Sequence, residues 1–410
     1  MDALTPKETH APRAPTSPYA LLALLMAMTA LGPLTLNILV PAVPNLVAVM
    51  NTDTATVQLT ISLYLFGLAV SQLVLGPLSD RFGRRPVVIA GLTITALSSV
   101  LAIAMSSIGG LIVARGLQAL GASTGLVIGR AIIRDLYDRE RAASMIGWVT
   151  TVMVVAPMLA PLVGGLLDTA LGWQSIFVFI TVVSFAVLIW AFIGLPETRP
   201  DHVTGGGVRF IARETRELLG DRNFVGYMLA ASIATATFFS FLGGAPHLVI
   251  GIMGRSSAEY GAWFALTAFG YMIGNLIAAR LSPRFGVDNM IRAGIGLQIF
   301  GAIASIALAH AFPLGGPETV FPAQFFLSCG NGIFLPNAIA GAISVRPQAA
   351  GTASGIAGFA QMGLGAIAAQ AMSTVIEHSA TAQPMAWTMF ALAVLAIVLF
   401  VILVRPTPTR

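Results

Sequence analysis

Charged side chains are scarce in this chain of 410 residues, because Asp, Glu, Lys and Arg together make up only 10% of it. Soluble globular proteins carry about 25% of these residues. Hydrophobic residues make up 56% of the chain, and the mean hydropathy is +0.86. This combination excludes a soluble globular protein and predicts an integral membrane protein. Its long apolar runs indicate helices and not a transmembrane barrel, whose strands would alternate over about ten residues.

Cysteine and lysine occur once each, as Cys329 and Lys7. A single cysteine inside an apolar run implies no disulfide and no metal site. The five histidines are scattered over positions 10, 202, 247, 310 and 378. A hydrolase or transferase in the membrane would need Asp, His or Glu clustered near one surface. We therefore expect no enzyme, no metal and no cofactor.

Twelve runs are apolar over about the 20 residues that a bilayer-spanning helix needs. They cover 20–42, 56–77, 86–106, 110–130, 143–167, 174–195, 223–245, 258–280, 289–311, 320–344, 351–373 and 385–404. A polar stretch at 196–222 separates the sixth run from the seventh. It contains a flexible joint, Gly205 to Gly207, and then a segment that we predict to form an amphipathic surface helix. We predict an N-terminal bundle over 1–195 with a short tail, a cytoplasmic linker over 196–222 and a C-terminal bundle over 223–410.

The basic residues are distributed asymmetrically with respect to these spans. Of the 22, only Arg255 falls in an outer loop and only Arg115 lies deep within a span. An excess of Lys and Arg on one side marks the cytoplasmic face. We therefore expect a multi-pass protein of the bacterial inner membrane with both termini in the cytoplasm. The formal charge of +5 then requires no nucleic acid partner.

The most informative stretch runs from Gly76 to Pro86, between the second and third spans. Its one acid and three arginines cannot lie in hydrocarbon, where each would cost roughly 2.5–3.5 kcal/mol or more, so we predict a charged cytoplasmic loop. The segment Leu78 to Gly83 recurs 203 residues later as Leu281 to Gly286, with Pro283 in place of Asp80. This repeat predicts two related six-helix bundles.

This loop resembles the signature G-x-L-x-D-R-x-G-R-R of the major facilitator superfamily. The matching residues are Gly76, Leu78, Asp80, Arg81, Gly83, Arg84 and Arg85. The resemblance implies an all-α integral membrane fold of twelve transmembrane helices in two pseudo-symmetric six-helix bundles. It also implies transport by alternating access, with the loop acting in gating and coupling.

The fourth span carries Arg115 and Gln118, which share a helix face. They resemble the R-x-x-Q-G signature of the drug:proton antiporters. The stretch from Val127 to Tyr137, with the preceding Gln118 to Ala122, is similar to their bicyclomycin/chloramphenicol-resistance branch. An intramembrane Arg by default faces a cavity or a partner. The alternative is that Arg115 pairs with backbone carbonyls and only joins helices. We expect Asp135 to pair with Arg84 or Arg81, whereas the charges from Asp138 to Arg141 also fit a solvated cluster.

The fifth span combines two prolines with two glycines. Pro157, Pro161, Gly164 and Gly165 resemble the antiporter motif G-P-x-x-G-G, in which a bent helix seals the interface between the halves. Proline removes a helix hydrogen bond, and glycine lets a neighbouring backbone approach closely. A bend without functional meaning is the alternative.

No carboxylate lies in the interior of a predicted span, and Asn37 stands where the resembling family usually has Asp. This absence argues against organic cations as the main substrates, and it favours uncharged or anionic amphiphilic compounds near Arg115. The proton carrier stays open among Asp80, Asp135 and His247, although a histidine at a helix end can simply be a polar cap. The polar residues of the second half either line the cavity or bond across helices; they are Gln298, Asn331, Asn337 and Gln361.

These observations and the resemblance together predict a proton-coupled multidrug efflux transporter, exporting small amphiphilic, uncharged compounds. Its partners would be a drug-like substrate, protons and the lipid bilayer, and we expect a monomer driven by the proton gradient. An exporter of an endogenous metabolite and a proton-coupled importer are the alternatives within the fold. The proline- and glycine-rich fifth span weighs against an importer.

Overall fold

A computed structural model describes residues 18–137, 139–199, 208–313, 315–346 and 349–404. Over these residues the chain is helical, with no strand in the described ranges. The helices are α1 (Pro18–Asn37), α2 (Val43–Val49), α3 (Thr54–Phe82), α4 (Arg84–Ile103), α5 (Ile108–Leu136), α6 (Arg139–Leu171), α7 (Gln174–Gly194), α8 (Val208–Gly220), α9 (Arg222–Pro246), α10 (Ser257–Phe285), α11 (Val287–Ala311), α12 (Phe321–Ser344), α13 (Ala350–Glu377) and α14 (Gln383–Leu403). The predicted joint from Gly205 to Gly207, the N-terminal tail and Asp138 lie outside the described residues, as do the side chains of Arg139 and Glu140.

The expected transmembrane helices are present. Eleven helical segments are long and apolar enough to cross a bilayer, and α6 contains a further apolar stretch at Val155–Leu171. Together these segments correspond to the twelve predicted spans. The predicted helical membrane architecture is confirmed.

The first span differs from its prediction as one helix over 20–42. Helix α1 ends at Asn37, a single 3-10 turn follows at Val40–Ala42, and α2 continues to Val49. Pro41 and Pro44 explain the break, because proline supplies no backbone N–H to an α-helical ladder.

The predicted charged loop from Gly76 to Pro86 is also corrected. Helix α3 continues through Phe82 and α4 begins at Arg84, so that Gly83 alone joins them, with φ +101°. A residue with a side chain rarely adopts this conformation. The second half repeats the turn at Gly286, with φ +80°. The charges therefore project from two helix ends, which hold them in fixed positions.

The linker contains the predicted amphipathic helix, α8. Arg346, in the turn after α12, forms ion pairs with Glu214 (3.6 Å) and Glu217 of this helix. Arg213 also pairs with Glu217, at 2.8 Å between its Nε and Oε1. Arg213 and Arg346 hold the pKa of the Glu217 carboxyl below its ordinary value through these hydrogen bonds. Helix α8 is thereby tied to the second half by charge.

The two ends of the molecule differ in charge and in packing. We call the end that carries Arg84, Arg134 and Arg346 the arginine-rich end, and the end that carries Asp168 and Glu377 the opposite end. At the opposite end, buried residues of both halves form one hydrophobic core. At the arginine-rich end each half has its own core. The halves are therefore packed together at one end and separated at the other.

Candidate substrate cavity and gates

A cavity of about 540 Å³ lies between the halves at the arginine-rich end. The polar and charged side chains of its lining are Gln72, Ser79, Asp80, Arg84, Arg130, Arg134, Thr215, Thr352 and Ser354. The other lining residues are glycine, proline and apolar residues. Sites for drug-sized ligands typically measure about 300–1,000 Å³. The cavity is thus large enough for a small organic molecule.

Arg84 is the centre of the charge cluster at the ends of α3, α4 and α5. Its Nη1 lies 2.5 Å from Oδ1 of Asp80, and its Nε lies 2.9 Å from Oδ2 of Asp135. Nη1 also donates to Oγ of Ser79 at 2.6 Å. The pair between Arg84 and Asp135 expected from the sequence is present, whereas Arg81 lies over the ring of Phe82.

Glu197, just beyond α7, fixes the start of α4. Its carboxylate accepts from the backbone N–H groups of Arg84 (2.8 Å) and Arg85 (3.1 Å), which the helix itself leaves unpaired. The Arg85 side chain donates to the carbonyl of Phe192 at 2.7 Å. All of these partners belong to the first half. The cluster therefore ties the first bundle together in this conformation, and its role in gating remains a prediction.

At the opposite end a buried carboxylate joins the halves. Asp168, on α6, accepts from Nδ2 of Asn45 at 2.9 Å and from Oγ of Ser257 at 2.7 Å. Asn45 belongs to the first half, as Asp168 does, and its hydrogen bond orients the carboxylate. Ser257 begins α10 of the second half. Oγ of Ser257 also lies 3.0 Å from the carbonyl oxygen of Pro41. We call Asp168, Asn45 and Ser257 the Asp168 clasp.

A second set of contacts crosses the halves at the same end. Oε1 of Glu377 accepts from the backbone N–H of Thr54 at 3.0 Å, and Gln370 donates to the carbonyl of Ala55 at 2.8 Å. Nδ1 of His247 lies 3.4 Å from Oγ1 of Thr54. His247 therefore lies at the opposite end, where the halves are in contact, and it does not line the cavity.

Helix α6 approaches the other half closely at Gly165, where a Cβ would lie 2.2 Å from the carbonyl oxygen of Ser257. Gly164 instead faces its own half, where a Cβ would lie 1.9 Å from the carbonyl oxygen of Ile38, the residue after α1. Pro161 is part of the same contact, since its carbonyl lies 2.5 Å from the Cβ position of Gly261. The helix passes through Pro157 and Pro161 without a break. The contact of Gly165 and Pro161 lies between the halves, and the sealing role that the sequence resemblance implied for α6 stays a prediction.

Arg115 is completely buried within the first bundle, and it is not among the residues that line the cavity. Its Nε donates to the carbonyl of Thr60 (3.2 Å), and its Nη1 donates to that of Thr35 (3.0 Å) and to Gln118 (2.5 Å). The guanidinium lies 4.3 Å from the centre of the Tyr64 ring. This geometry corresponds to the alternative in which Arg115 joins helices. A contact with substrate stays a prediction.

The remaining predicted polar residues are also buried. Asn37, the last residue of α1, donates to the carbonyl of Pro33 at 2.8 Å. Gln298 and Asn331 line a small pocket inside the second bundle with Gln324 and Ser328. This pocket encloses about 10 Å³, which is about the space of one water molecule.

Sequence reasoning missed Asp168, Ser257 and Arg130 as site residues. Asp168 carries a readable signal, because it is an acid directly after the proline- and glycine-rich stretch of α6. Ser257 has no comparable signal, since its importance comes from a contact between residues 89 positions apart. Arg130 lies inside the stretch that resembled the drug-resistance branch, yet only the structure places it on the cavity wall.

Comparison with known proteins identifies the family. The family model described as Major Facilitator Superfamily matches residues 25–370. This chain belongs to the Major Facilitator Superfamily. Its members are transporters, so the protein is a transporter and not an enzyme. As a multi-span protein of the bacterial type, it belongs to the inner membrane.

The curated relatives lie in the predicted drug-resistance branch. The chain is 32% identical over 357 residues to Multidrug resistance protein D of Escherichia coli (strain K12), covering 85% of this chain and 87% of that protein. It is 31% identical over 328 residues to the Chloramphenicol resistance protein of Pseudomonas aeruginosa, covering 80% and 75% of the two chains. The resemblance inferred from the sequence motifs is confirmed.

A solved structure shows the same fold. The D-xylose-proton symporter superposes with a TM-score of 0.77 over 94% of this chain and 98% of its own, at 14% sequence identity. At this identity the likeness concerns the fold alone. The predicted twelve-helix major facilitator fold is confirmed.

Proposed function

We propose that this transporter exports small amphiphilic, uncharged compounds in exchange for protons. The observation that carries the proposal is the cavity of about 540 Å³ at the arginine-rich end, opposite an end where the halves share one hydrophobic core. Such a conformation is the inward-open state of an alternating-access cycle if the arginine-rich end faces the cytoplasm. The excess of arginine at this end supports that orientation, with both termini in the cytoplasm.

The charges of the cavity support the exclusion of organic cations. Asp80 is the one carboxylate in the described lining, and its Oδ1 lies 2.5 Å from Arg84. A cationic drug would have to displace this arginine to gain a counter-ion. The names of the relatives, which include chloramphenicol resistance, agree with an uncharged substrate. The protein acts as a monomer within the bilayer in this proposal.

The proton gradient supplies the driving force for export. Among the three candidate proton carriers, Asp80 is the one on the cavity wall, with 41% of its side chain exposed. Asp135 is more enclosed, with 13% exposed, and His247 lies at the sealed end. We therefore assign proton exchange to Asp80, which is paired with Arg84. A substrate in the cavity would shield this ion pair from water.

The test is chloramphenicol accumulation in everted membrane vesicles with an imposed proton gradient. We expect accumulation in vesicles that contain the protein, its collapse on adding a protonophore, and weak accumulation of ethidium. Asp80→Asn should abolish the gradient-driven part. Asp221→Asn is the matched control, because Asp221 caps α9 away from the cavity and asparagine keeps the cap.

Two results would contradict the proposal. Accumulation that persists with the protonophore would remove proton coupling, and ethidium transport as strong as that of chloramphenicol would remove the preference for uncharged compounds. If neither compound moves while an endogenous metabolite does, the protein is a metabolite exporter.

A further inference from the structure

Two arginines of α5 face the cavity without the compensation that Arg84 has. Arg130 and Arg134 are four residues apart and both line the cavity. Residues at this spacing lie about 5–6 Å apart at Cβ on one helix face, and like charges there repel each other. The helix therefore holds two positive charges side by side on the wall of a binding cavity.

The guanidinium of Arg130 has no strong hydrogen-bond acceptor among the described residues. Its Nε is buried and has no hydrogen-bond partner in the described structure. Among the described residues, its polar contact is from Nη2 to the sulfur of Met153 at 3.5 Å, and a thioether is only a weak acceptor. A buried donor without a partner is unfavourable, so an anionic ligand that accepts from this guanidinium would be bound favourably.

The described carboxylates around the cavity form ion pairs with arginines other than Arg130 and Arg134. Asp80 and Asp135 both contact Arg84. Glu214 and Glu217 of α8 pair with Arg346. Neither Arg130 nor Arg134 forms an ion pair within the described ranges of the chain. The net charge of the described lining is positive.

The surroundings of the two arginines are amphiphilic. Leu126, Val127 and Ile146 line the same cavity. The lining also includes Thr215 from the linker helix and Thr352 and Ser354 from α13. The apolar side chains can cover a hydrocarbon or aromatic body, while the guanidinium groups bind its charged end. Arginine binds carboxylate and phosphate groups through paired, charge-assisted hydrogen bonds.

We propose that Arg130 and Arg134 form an anion-binding subsite in the cavity, which takes the carboxylate of an amphiphilic organic acid. The subsite extends the substrate class from uncharged compounds to organic anions. It rests on the proposed function only in treating this cavity as the substrate cavity, because binding of an anion requires no proton coupling. Arg84 takes no part, since its Nε is engaged by Asp135 and its Nη1 by Asp80 and Ser79.

The first test compares two probes of nearly the same shape, 1-naphthoate and its uncharged amide, 1-naphthamide. The purified protein is placed in nanodiscs of phosphatidylcholine, and binding is measured by calorimetry. We expect the acid to bind at least about tenfold more tightly, which corresponds to one charge-assisted hydrogen bond. The difference should shrink as salt rises from 50 to 500 mM, because the attraction is electrostatic.

Variants locate the effect. Arg130→Gln should remove most of the difference between acid and amide, and Arg130→Lys should retain part of it by keeping the charge. Arg280→Gln is the matched control, because Arg280 is an exposed guanidinium on α10 outside the cavity lining. If Arg130→Gln does not fold, Arg134→Gln and the wild-type salt series still test the site. Equal affinity for acid and amide, or equal losses in the Arg130→Gln and Arg280→Gln variants, would overturn the proposal.

A lipid headgroup offers the same anionic chemistry and must be distinguished. Nanodiscs that contain phosphatidylglycerol should leave naphthoate binding unchanged if the subsite serves a free organic acid. Strong competition by this lipid would reassign the subsite to the membrane and overturn the proposal. Failure of chloramphenicol export with intact acid binding would count against the proposed function alone. Export without discrimination between acid and amide would count against the subsite alone.

Discussion

The Asp168 clasp should shift the equilibrium between the closed and open states of the opposite end. Replacing Asp168 with alanine removes the charged acceptor that Ser257 uses across the two halves and leaves only the carbonyl of Pro41. The bond from Asn45 lies within the first half, so it survives opening of this end. Of the two bonds to Asp168, the one from Ser257 crosses the halves, so opening of this end breaks it.

The size of the effect follows from that one bond. A hydrogen bond to a charged group contributes about 1.5–3 kcal/mol, and Asp168 is buried, with 7% of its surface exposed. We take about 2 kcal/mol, which changes an equilibrium roughly thirty-fold. Asp168→Ala should therefore lower the ratio of closed to open molecules at the opposite end roughly thirty-fold.

Spin-label distances can measure this ratio. The chain has a single cysteine, Cys329, so Cys329→Ser provides a background without cysteine. Labels at Ser106 and Ala380 occupy exposed positions at the opposite end, one in each half. Double electron–electron resonance in nanodiscs should show a dominant short distance in the parent protein and a large long-distance population in Asp168→Ala.

Asn45→Ala is the matched control, because it removes a bond of similar length that does not cross the halves. It should change the distance distribution little, whereas Ser257→Ala should shift it in the same direction as Asp168→Ala. An unchanged distribution in Asp168→Ala would show that the shared hydrophobic core and the other contacts across the halves keep this end closed, and the argument from the clasp would fail.

Three further predictions concern packing, burial and pH. Gly165→Ala should abolish transport, because its Cβ would lie 2.2 Å from a carbonyl oxygen of α10, whereas Gly363→Ala, which meets no atom within 4 Å, should transport normally in the vesicle assay. Arg115→Met should lower the free energy of unfolding by about 2 kcal/mol or more, since it removes buried charged hydrogen bonds, while Arg280→Met should change it by about 0.5 kcal/mol or less; denaturant unfolding in detergent measures both. The lowered pKa of Glu217 means that its ion pairs stabilise α8 fully above the unfolded pKa of about 4.3, and that this stabilisation is lost as pH falls through the lower folded value. Hydrogen exchange of α8 amides, corrected for intrinsic rates, should therefore be faster at pH 3 than at pH 7, and Glu217→Gln should remove most of that difference.

The sequence motif predicted part of the charge cluster around Arg84. The pairing of Arg84 with Asp135 was predictable, because charges that cannot enter hydrocarbon must meet where helices end at the same surface. The continuous helix through Phe82 was not predicted. A strongly charged, glycine-containing stretch is typical of a loop, yet Gly83 turns the chain in a single residue.

Arg115 shows where sequence reasoning stops. The sequence correctly indicated that Arg115 lies deep in a span and shares a helix face with Gln118. Which side of α5 faces the cavity and which faces the bundle interior depends on how neighbouring helices pack. The hydrophobic pattern of a helix that is apolar all round does not encode that choice. The structure places Arg130 on the cavity wall and Arg115 inside the first bundle.

The sequence by itself determined the membrane location, the number of membrane spans, the duplication and the family of this protein. Each of these depends on composition, run length or local motifs, which the bilayer constrains directly. Only the tertiary structure decided which end is sealed, that Asp168 meets Ser257 across the halves, and which arginines line the cavity. These features depend on contacts between residues far apart in the chain, and such contacts follow from the packing of whole helices.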